Sequence, residues 1–225
     1  MKEETDPPMN VRAAPRRVSK SPGAASPWKP AHDRARERAS KREAVLRAAA
    51  RAFRERGVHN TTLDDIASFL NVTKPTIYYY LTNKEQIIFE CFRLGIGRIA
   101  AALAELGKAS GTGRERLTAL VRRYAEVMAS DFGWCMVRVE DHDLTPAVAR
   151  RLKSMKSEID QGIRRLLREG IADGSIRDCD PKMTAFALAG ALNGIGHWYR
   201  AGEALSAEEI AVRFLELFER GLAPA

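Results

Sequence analysis

The sequence predicts an all-α protein, a small N-terminal three-helix unit followed by an antiparallel helical bundle. Three observations predict it. Apolar residues recur with helical spacing from Val45 to Phe218. Where such runs begin, a hydroxyl or amide side chain stands three positions before an acid or amide, the pattern that satisfies orphan N–H groups at a helix start. Beyond Glu85, no stretch alternates polar and apolar residues long enough to argue a sheet.

Residues 1 to 39 are a different material, with Pro7, Pro8, Pro15, Pro22, Pro27 and Pro30 among few apolar side chains, and read as disordered. They also carry Arg12, Arg16, Arg17, Lys20, Lys29, Arg34, Arg36 and Arg38. Such a segment is either a basic arm that touches phosphates or the minor groove, or a solvated tail.

Helices follow in order. The first starts at Ser40, paired with Glu43, buries Val45, Ala49, Ala52 and Phe53, and ends near Gly57. The second starts at Thr62 with Asp65 and buries Ile66, Ala67 and Leu70. In the third, Val72 and Ile77 plug the turn and the inner face, and Pro75 occupies the first turn, where a missing N–H costs little. Asn83 with Gln86 opens a fourth helix from Lys84 to about Leu106, in which Gly95 and Gly97 are points of weakness.

A loop from Gly107 to Gly113 leads to a helix from Arg114 to Ser130. Thr145-Pro146 opens a long helix closed near Gly170 to Gly174, Asp180-Pro181 opens another, and Ser206 with Glu209 caps the last, ahead of Gly221. Three units result: residues 1–39, 40–83 and 84–225.

The segment from Thr62 to Tyr80 is two short helices joined by a tight turn, the layout that puts a helix into the DNA major groove. Thr73, Lys74, Thr76, Tyr79 and Tyr80 point outward. Tyr and Thr hydroxyls, Lys ammonium groups and helix N-termini are the usual phosphate contacts, while base edges carry the sequence. For Tyr78, packing in the core is an equal alternative.

Thr62-Leu63-Asp64-Asp65-Ile66-Ala67 and Val72-Thr73-Lys74-Pro75-Thr76-Ile77-Tyr78-Tyr79-Tyr80-Leu81-Thr82-Asn83-Lys84-Glu85 resemble the helix-turn-helix signature of the TetR family over about 50 residues. The resemblance implies a homodimeric transcriptional repressor, released from a palindromic double-stranded DNA operator when a small molecule binds its C-terminal domain. By position, Thr62 and Lys84 would hold the DNA backbone. Thr73, Lys74 and Thr76 would face the bases beside Pro75, with Tyr78, Tyr79 and Tyr80 at base or phosphate positions. Proline at 75, where the family often has glycine, and tyrosine at 79, where it often has histidine, leave the operator sequence open.

The last two helices read as an association surface. Ala187, Gly190, Ala191 and Gly194 permit close backbone approach, and Phe214 and Phe218 share a face of the final helix; ordinary intrachain core is the alternative. His197-Trp198-Tyr199-Arg200-Ala201-Gly202 with Leu205-Ser206-Ala207-Glu208-Glu209 resembles, over about 20 residues, a TetR subgroup of steroid and fatty-acid repressors that respond to acyl-CoA thioesters. That resemblance implies an apolar effector pocket lined by Phe132, Trp134, Met136, Met155, Ile159 and Trp198, with Arg150, Arg151, Lys153 and Lys156 near CoA phosphates. A non-CoA apolar effector, plain core for the aromatics, and a solvated face for the charges remain open.

Composition agrees. A net charge of +8 suits a polyanionic partner. Cys91, Cys135 and Cys179 are odd in number and far apart, without a disulfide framework or zinc spacing, and no apolar run reaches signal or membrane-spanning length, so a cytoplasmic protein without membrane partner is expected. Glu140-Asp141-His142-Asp143 is the one cluster of metal-ligand types, but consecutive helix residues diverge, so no metal site is expected. Phosphate loops, dinucleotide fingerprints, GxSxG elbows and HExxH are absent, so neither an enzyme nor a cofactor is expected. A DNA-compacting protein indifferent to sequence is the remaining rival, although it would not need a large apolar helical domain.

Overall fold

The structure is a computed structural model that describes residues 31–139, 144–200, 202 and 205–222. Among them are nine helices and no strand: α1 (Ala31–Arg56), α2 (Leu63–Phe69), α3 (Lys74–Tyr80), α4 (Lys84–Leu106), α5 (Gly113–Met128), α6 (Asp131–Arg138), α7 (Pro146–Ala172), α8 (Pro181–Trp198) and α9 (Ala207–Leu222).

The local signals hold at most helix starts. Thr62 and Asp65 form a reciprocal capping box, Asn83 accepts from the Gln86 N–H at 2.7 Å, and Ser206 and Glu209 bond each other's backbone N–H. The first helix departs from expectation. It begins at Ala31, so Ser40 lies inside it and caps nothing; residues 31–39 are helical, whereas the rest of the expected arm lies outside the described residues. The segment from Ala31 to Ala39 is rich in Ala and Arg and free of Gly and Pro, a composition that carries a helix. At the other end, Gly57 takes φ +83°, the left-handed turn that closes α1 without steric cost.

α1, α2 and α3 pack around Phe53, Ile66 and Ile77, all fully buried; burial of such a side chain contributes about 1.5–3 kcal/mol. Val72 does not plug the turn as expected but stands 37% exposed, because Ile77 and Leu81 already fill the space under α3. The buried Thr61 hydroxyl reaches the carbonyls of Gly57 (2.8 Å) and Ala52 (3.2 Å), fixing the angle between α1 and α2. This core continues into Ile87, Ile88 and Cys91 of α4, and into Phe132, Cys135 and Val139 at α6.

α4 through α9 enclose a second core that includes Phe92, Leu120, Ile163, Leu167, Leu192 and Ile210. The short helix α6 was not expected. Ser130 caps it, and it follows α5 so closely that a Cβ on Gly133 would sit 2.3 Å from the Met128 carbonyl oxygen. α6 touches α1, α4, α5 and α8, which makes it the joint between the two cores.

Candidate nucleic-acid interface and apolar cavity

α3 exposes a continuous polar and aromatic face. Tyr79 is 62% exposed and Tyr78 48%, so the outward reading of Tyr79 agrees with the geometry and Tyr78 is not core. Tyr80, expected to point outward, is instead half-buried, because its ring lies over the α1–α4 core, and it meets Tyr79 edge to face at 4.9 Å. The Thr73 and Thr76 hydroxyls lie 3.0 Å apart at the helix start, with Pro75 exposed beside them.

Lys74 bonds Asp64 of α2 at 2.7 Å, and that carboxylate raises the lysine pKa. Both partners are largely exposed, so the pair is weak and the ammonium can exchange it for a phosphate or a base edge. Thr62 is less available: its hydroxyl donates to Asp65 at 2.6 Å, and its hydroxyl and backbone N–H together hold the Asp65 carboxyl below its usual range. Thr62 therefore shapes the start of α2, with both its hydroxyl and its backbone N–H engaged by Asp65. Lys84, at the start of α4, reaches the His59 carbonyl at 3.3 Å.

The helical extension of α1 adds a feature the sequence reading did not place. Arg34, Arg38 and Arg42 line a groove of about 550 Å³ against Tyr79 and Tyr80, with the Arg38 guanidinium 5.0 Å from the Tyr79 ring centre. Arginine spacing at i, i+4 and i+8 in a Pro-free stretch was the signal that these cations share one helix face.

The C-terminal unit contains a cavity of about 400 Å³ between α4, α5, α6, α7 and α8. Its walls are Phe92, Ile96 and Ile99 of α4, Met136 and Val137 of α6, and Ile159 and Ile163 of α7; Tyr124 of α5 and Asn193 of α8 bring polar atoms to it. Lys156, Asp160, Phe186 and His197 complete its lining. Asp160 is paired with Arg164, whose guanidinium lies over Phe186 at 5.2 Å. Lys156 stands over the Phe92 ring at 5.0 Å and, among the described residues, has no carboxylate partner.

Of the expected lining residues, only Met136 and Ile159 reach this cavity. Phe132 is buried in the α1–α4 core and Trp134 packs against it, because α6 turns that side toward the N-terminal unit. Met155 packs on the C-terminal core without reaching the cavity, and Trp198 is 48% exposed at the end of α8. Among the expected cations, only Lys156 lines the cavity; Arg151 lies over Phe89 at 4.5 Å, and Arg150 and Lys153 are exposed.

On α8, Met183, Ala187, Gly190, Gly194 and Trp198 form an exposed to half-buried stripe beside the cavity-facing residues, and a Cβ on Gly190 would meet nothing. Ala191 is half-buried. Phe214 and Phe218 of α9 pack partly onto their own core and leave Leu217 fully outward. Glu140 to Asp143 lie outside the described residues; among the described ones, no group of His, Cys, Asp or Glu could hold a metal ion, and no helix is long and apolar enough to cross a membrane.

Comparison with known proteins agrees with this anatomy. Residues 45–91 match the family model described as bacterial regulatory proteins, tetR family, and residues 110–222 match the one described as tetracyclin repressor-like, C-terminal domain. The HTH-type transcriptional repressor KstR2 of Mycolicibacterium smegmatis is 28% identical over 194 residues, 82% of this chain and 91% of that protein. The crystal structure of the TetR family regulator PfmR from Thermus thermophilus superposes with a TM-score of 0.72 at 25% identity, covering 80% of this chain and 99% of that one. AibR, solved in complex with isovaleryl coenzyme A and operator DNA, shares the fold with a TM-score of 0.67 at 24% identity, covering 78% of this chain and 96% of that one.

Proposed function

The chain belongs to the TetR family of DNA-binding transcriptional regulators, and on that premise we propose that it is a homodimeric repressor released from a palindromic operator by a small hydrophobic effector that carries an anionic group, an acyl-CoA thioester being the leading candidate. The observation that carries the reading is the double membership of α6. Phe132, Cys135 and Val139 sit in the core that supports α3, while Met136 and Val137, on the same two turns, form a wall of the cavity. A ligand that displaces Met136 moves a helix that the DNA-reading unit is built on.

The lining supports this ligand class. Aliphatic and aromatic walls take a hydrocarbon body, and Lys156, a cation without a carboxylate partner among the described residues, favours an anionic end. The volume suits an acyl group, leaving the nucleotide part of a thioester outside. The repressor KstR2 and the coenzyme A thioester held by AibR are precedents on this fold.

For DNA, α3 presents Lys74, Thr76, Tyr78 and Tyr79 to the major groove, with Thr73, Pro75, Tyr80, Lys84 and the Thr62 turn flanking the backbone. The α8 stripe, continued by Phe214, Leu217 and Phe218 of α9, supplies the isologous face that a two-fold operator requires. The regulator works where the DNA is, in the cytoplasm.

The effector must bind the DNA-free conformation more tightly, and DNA then weakens effector binding by the same factor. The test is fluorescence anisotropy on a duplex from the protein's own upstream region, at fixed salt, with a panel of acyl-CoA thioesters. Specific binding released by one thioester, and not by free CoA, is the expected outcome. Binding indifferent to the panel removes the thioester, and equal binding to random duplexes removes the operator-specific regulator.

A further inference from the structure

Besides Lys156, Asp160 and His197, the cavity lining holds one hydrogen-bonded polar pair set among apolar walls. Tyr124 of α5 and Asn193 of α8, 69 residues apart in sequence, meet with the phenol donating to the Asn193 Oδ1 at 3.0 Å. Burial is the main reason the Tyr124 pKa is pushed up to about 12, so the phenol stays protonated and keeps donating. Asn193 is half-buried, and among the described residues its amide nitrogen makes no hydrogen bond. The pair therefore offers the cavity unpaired N–H donors and a phenol oxygen with lone pairs left over.

We infer that Tyr124 and Asn193 form an oxygen-recognition subsite, which selects effectors carrying a ketone, hydroxyl or thioester oxygen on the hydrocarbon body over plain saturated chains. The inference rests on the reading of this cavity as the effector site. A saturated chain lying against Asn193 strips water from the amide and returns nothing, whereas an oxygen at that point accepts the free N–H. A site built to bond an oxygen rejects the analogue that lacks it. Tyr124 is the positioning partner: its hydroxyl holds the Asn193 carbonyl and so turns the amide nitrogen toward the ligand.

The experiment uses the full chain, the dye 1-anilinonaphthalene-8-sulfonate, and competition by decanoic acid against its 4-oxo, 6-oxo and 9-oxo derivatives. The expected result is that one oxo isomer displaces the dye at a concentration roughly tenfold lower than decanoic acid does. That preference, read as the ratio of the oxo acid to decanoic acid on the same protein, disappears in Asn193→Leu and shrinks in Tyr124→Phe, and decanoic acid itself competes better in Asn193→Leu than in the wild type because no amide is left to desolvate. Ile163→Trp, which fills the cavity, is the control. Dye binding and displacement unaltered by Ile163→Trp, or acids that displace nothing, overturn the cavity reading and this inference with it. Acids that bind in the cavity without any oxo preference, or a preference that survives in Asn193→Leu, overturn the inference alone.

Discussion

Arg54, in the last turn of α1, bonds Asp131, the first residue of α6, at 3.1 Å, and with its other terminal nitrogen reaches the Tyr199 carbonyl at the end of α8, also at 3.1 Å. One guanidinium thus ties the N-terminal unit to the two helices that bring Met136 and Asn193 to the cavity. Replacing Arg54 by Met keeps most of the stem packing and removes both bonds. The expected loss is about 1–2 kcal/mol of unfolding free energy in urea titrations, since Asp131 is partly exposed. Effector binding should survive while its effect on operator affinity weakens. Full coupling in Arg54→Met would assign the signal to other contacts.

Substitution of Lys74 or Tyr79 by Ala should weaken operator binding by about 1–3 kcal/mol, with folding and effector binding intact. Neither side chain supports the core, since Tyr79 is largely exposed and Lys74 holds only the exposed Asp64. Anisotropy with operator and scrambled duplexes measures it; a Lys74→Ala protein of wild-type affinity contradicts the assignment.

Arg34 and Arg38 lie on the α1 extension beside Tyr79. If both reach phosphates, their joint replacement by Ala lowers the slope of log K against log salt by about 1.8, the release of two counterions. An unchanged slope would leave this edge of α1 off the DNA.

Glu90 of α4 is held by Arg42 of α1 at 3.2 Å and by Arg93 at 2.7 Å. Burial by itself would raise its carboxyl, but the two guanidiniums outweigh burial and leave the pKa lowered from 4.5. For a depressed carboxylate the stabilisation is present above the unfolded value and is lost as pH falls through the folded one. The wild-type protein should therefore lose stability below pH 4.5 more steeply than Glu90→Gln, as read from urea midpoints across pH 3 to 6.

Gly190 faces open space, so a side chain there disturbs nothing within the protomer. Gly190→Arg should shift sedimentation from dimer to monomer with helical circular dichroism unchanged. A dimer that survives would move the interface elsewhere on the surface.

Much of the DNA-reading unit was legible because its signals are local. Thr62–Asp65 and Asn83–Gln86 declare helix starts within four residues, and Gly57 declares an end. The run Val45, Ala49, Ala52 and Phe53 declares a buried face, and all four are buried. The Ser40–Glu43 pair shows the limit of such signals, since a cap pattern inside a strong helix former simply stays helical. α6 escaped because its eight residues span barely two turns, too few for a period to emerge. Phe132 and Trp134 were expected at the effector, and only the docking of α6 between two cores sends them to the other side.

The sequence by itself determined the helical class, most helix boundaries and the outward placement of Thr73, Lys74 and Tyr79, because caps, turns and amphipathic spacing act over a few residues and need no partner. Tertiary packing alone decided which face of α6 meets the cavity, that Lys156 lies over Phe92 without a carboxylate partner among the described residues, and that Tyr124 finds Asn193. Those contacts join residues up to 69 positions apart. They depend on how whole helices dock, and no local periodicity encodes that.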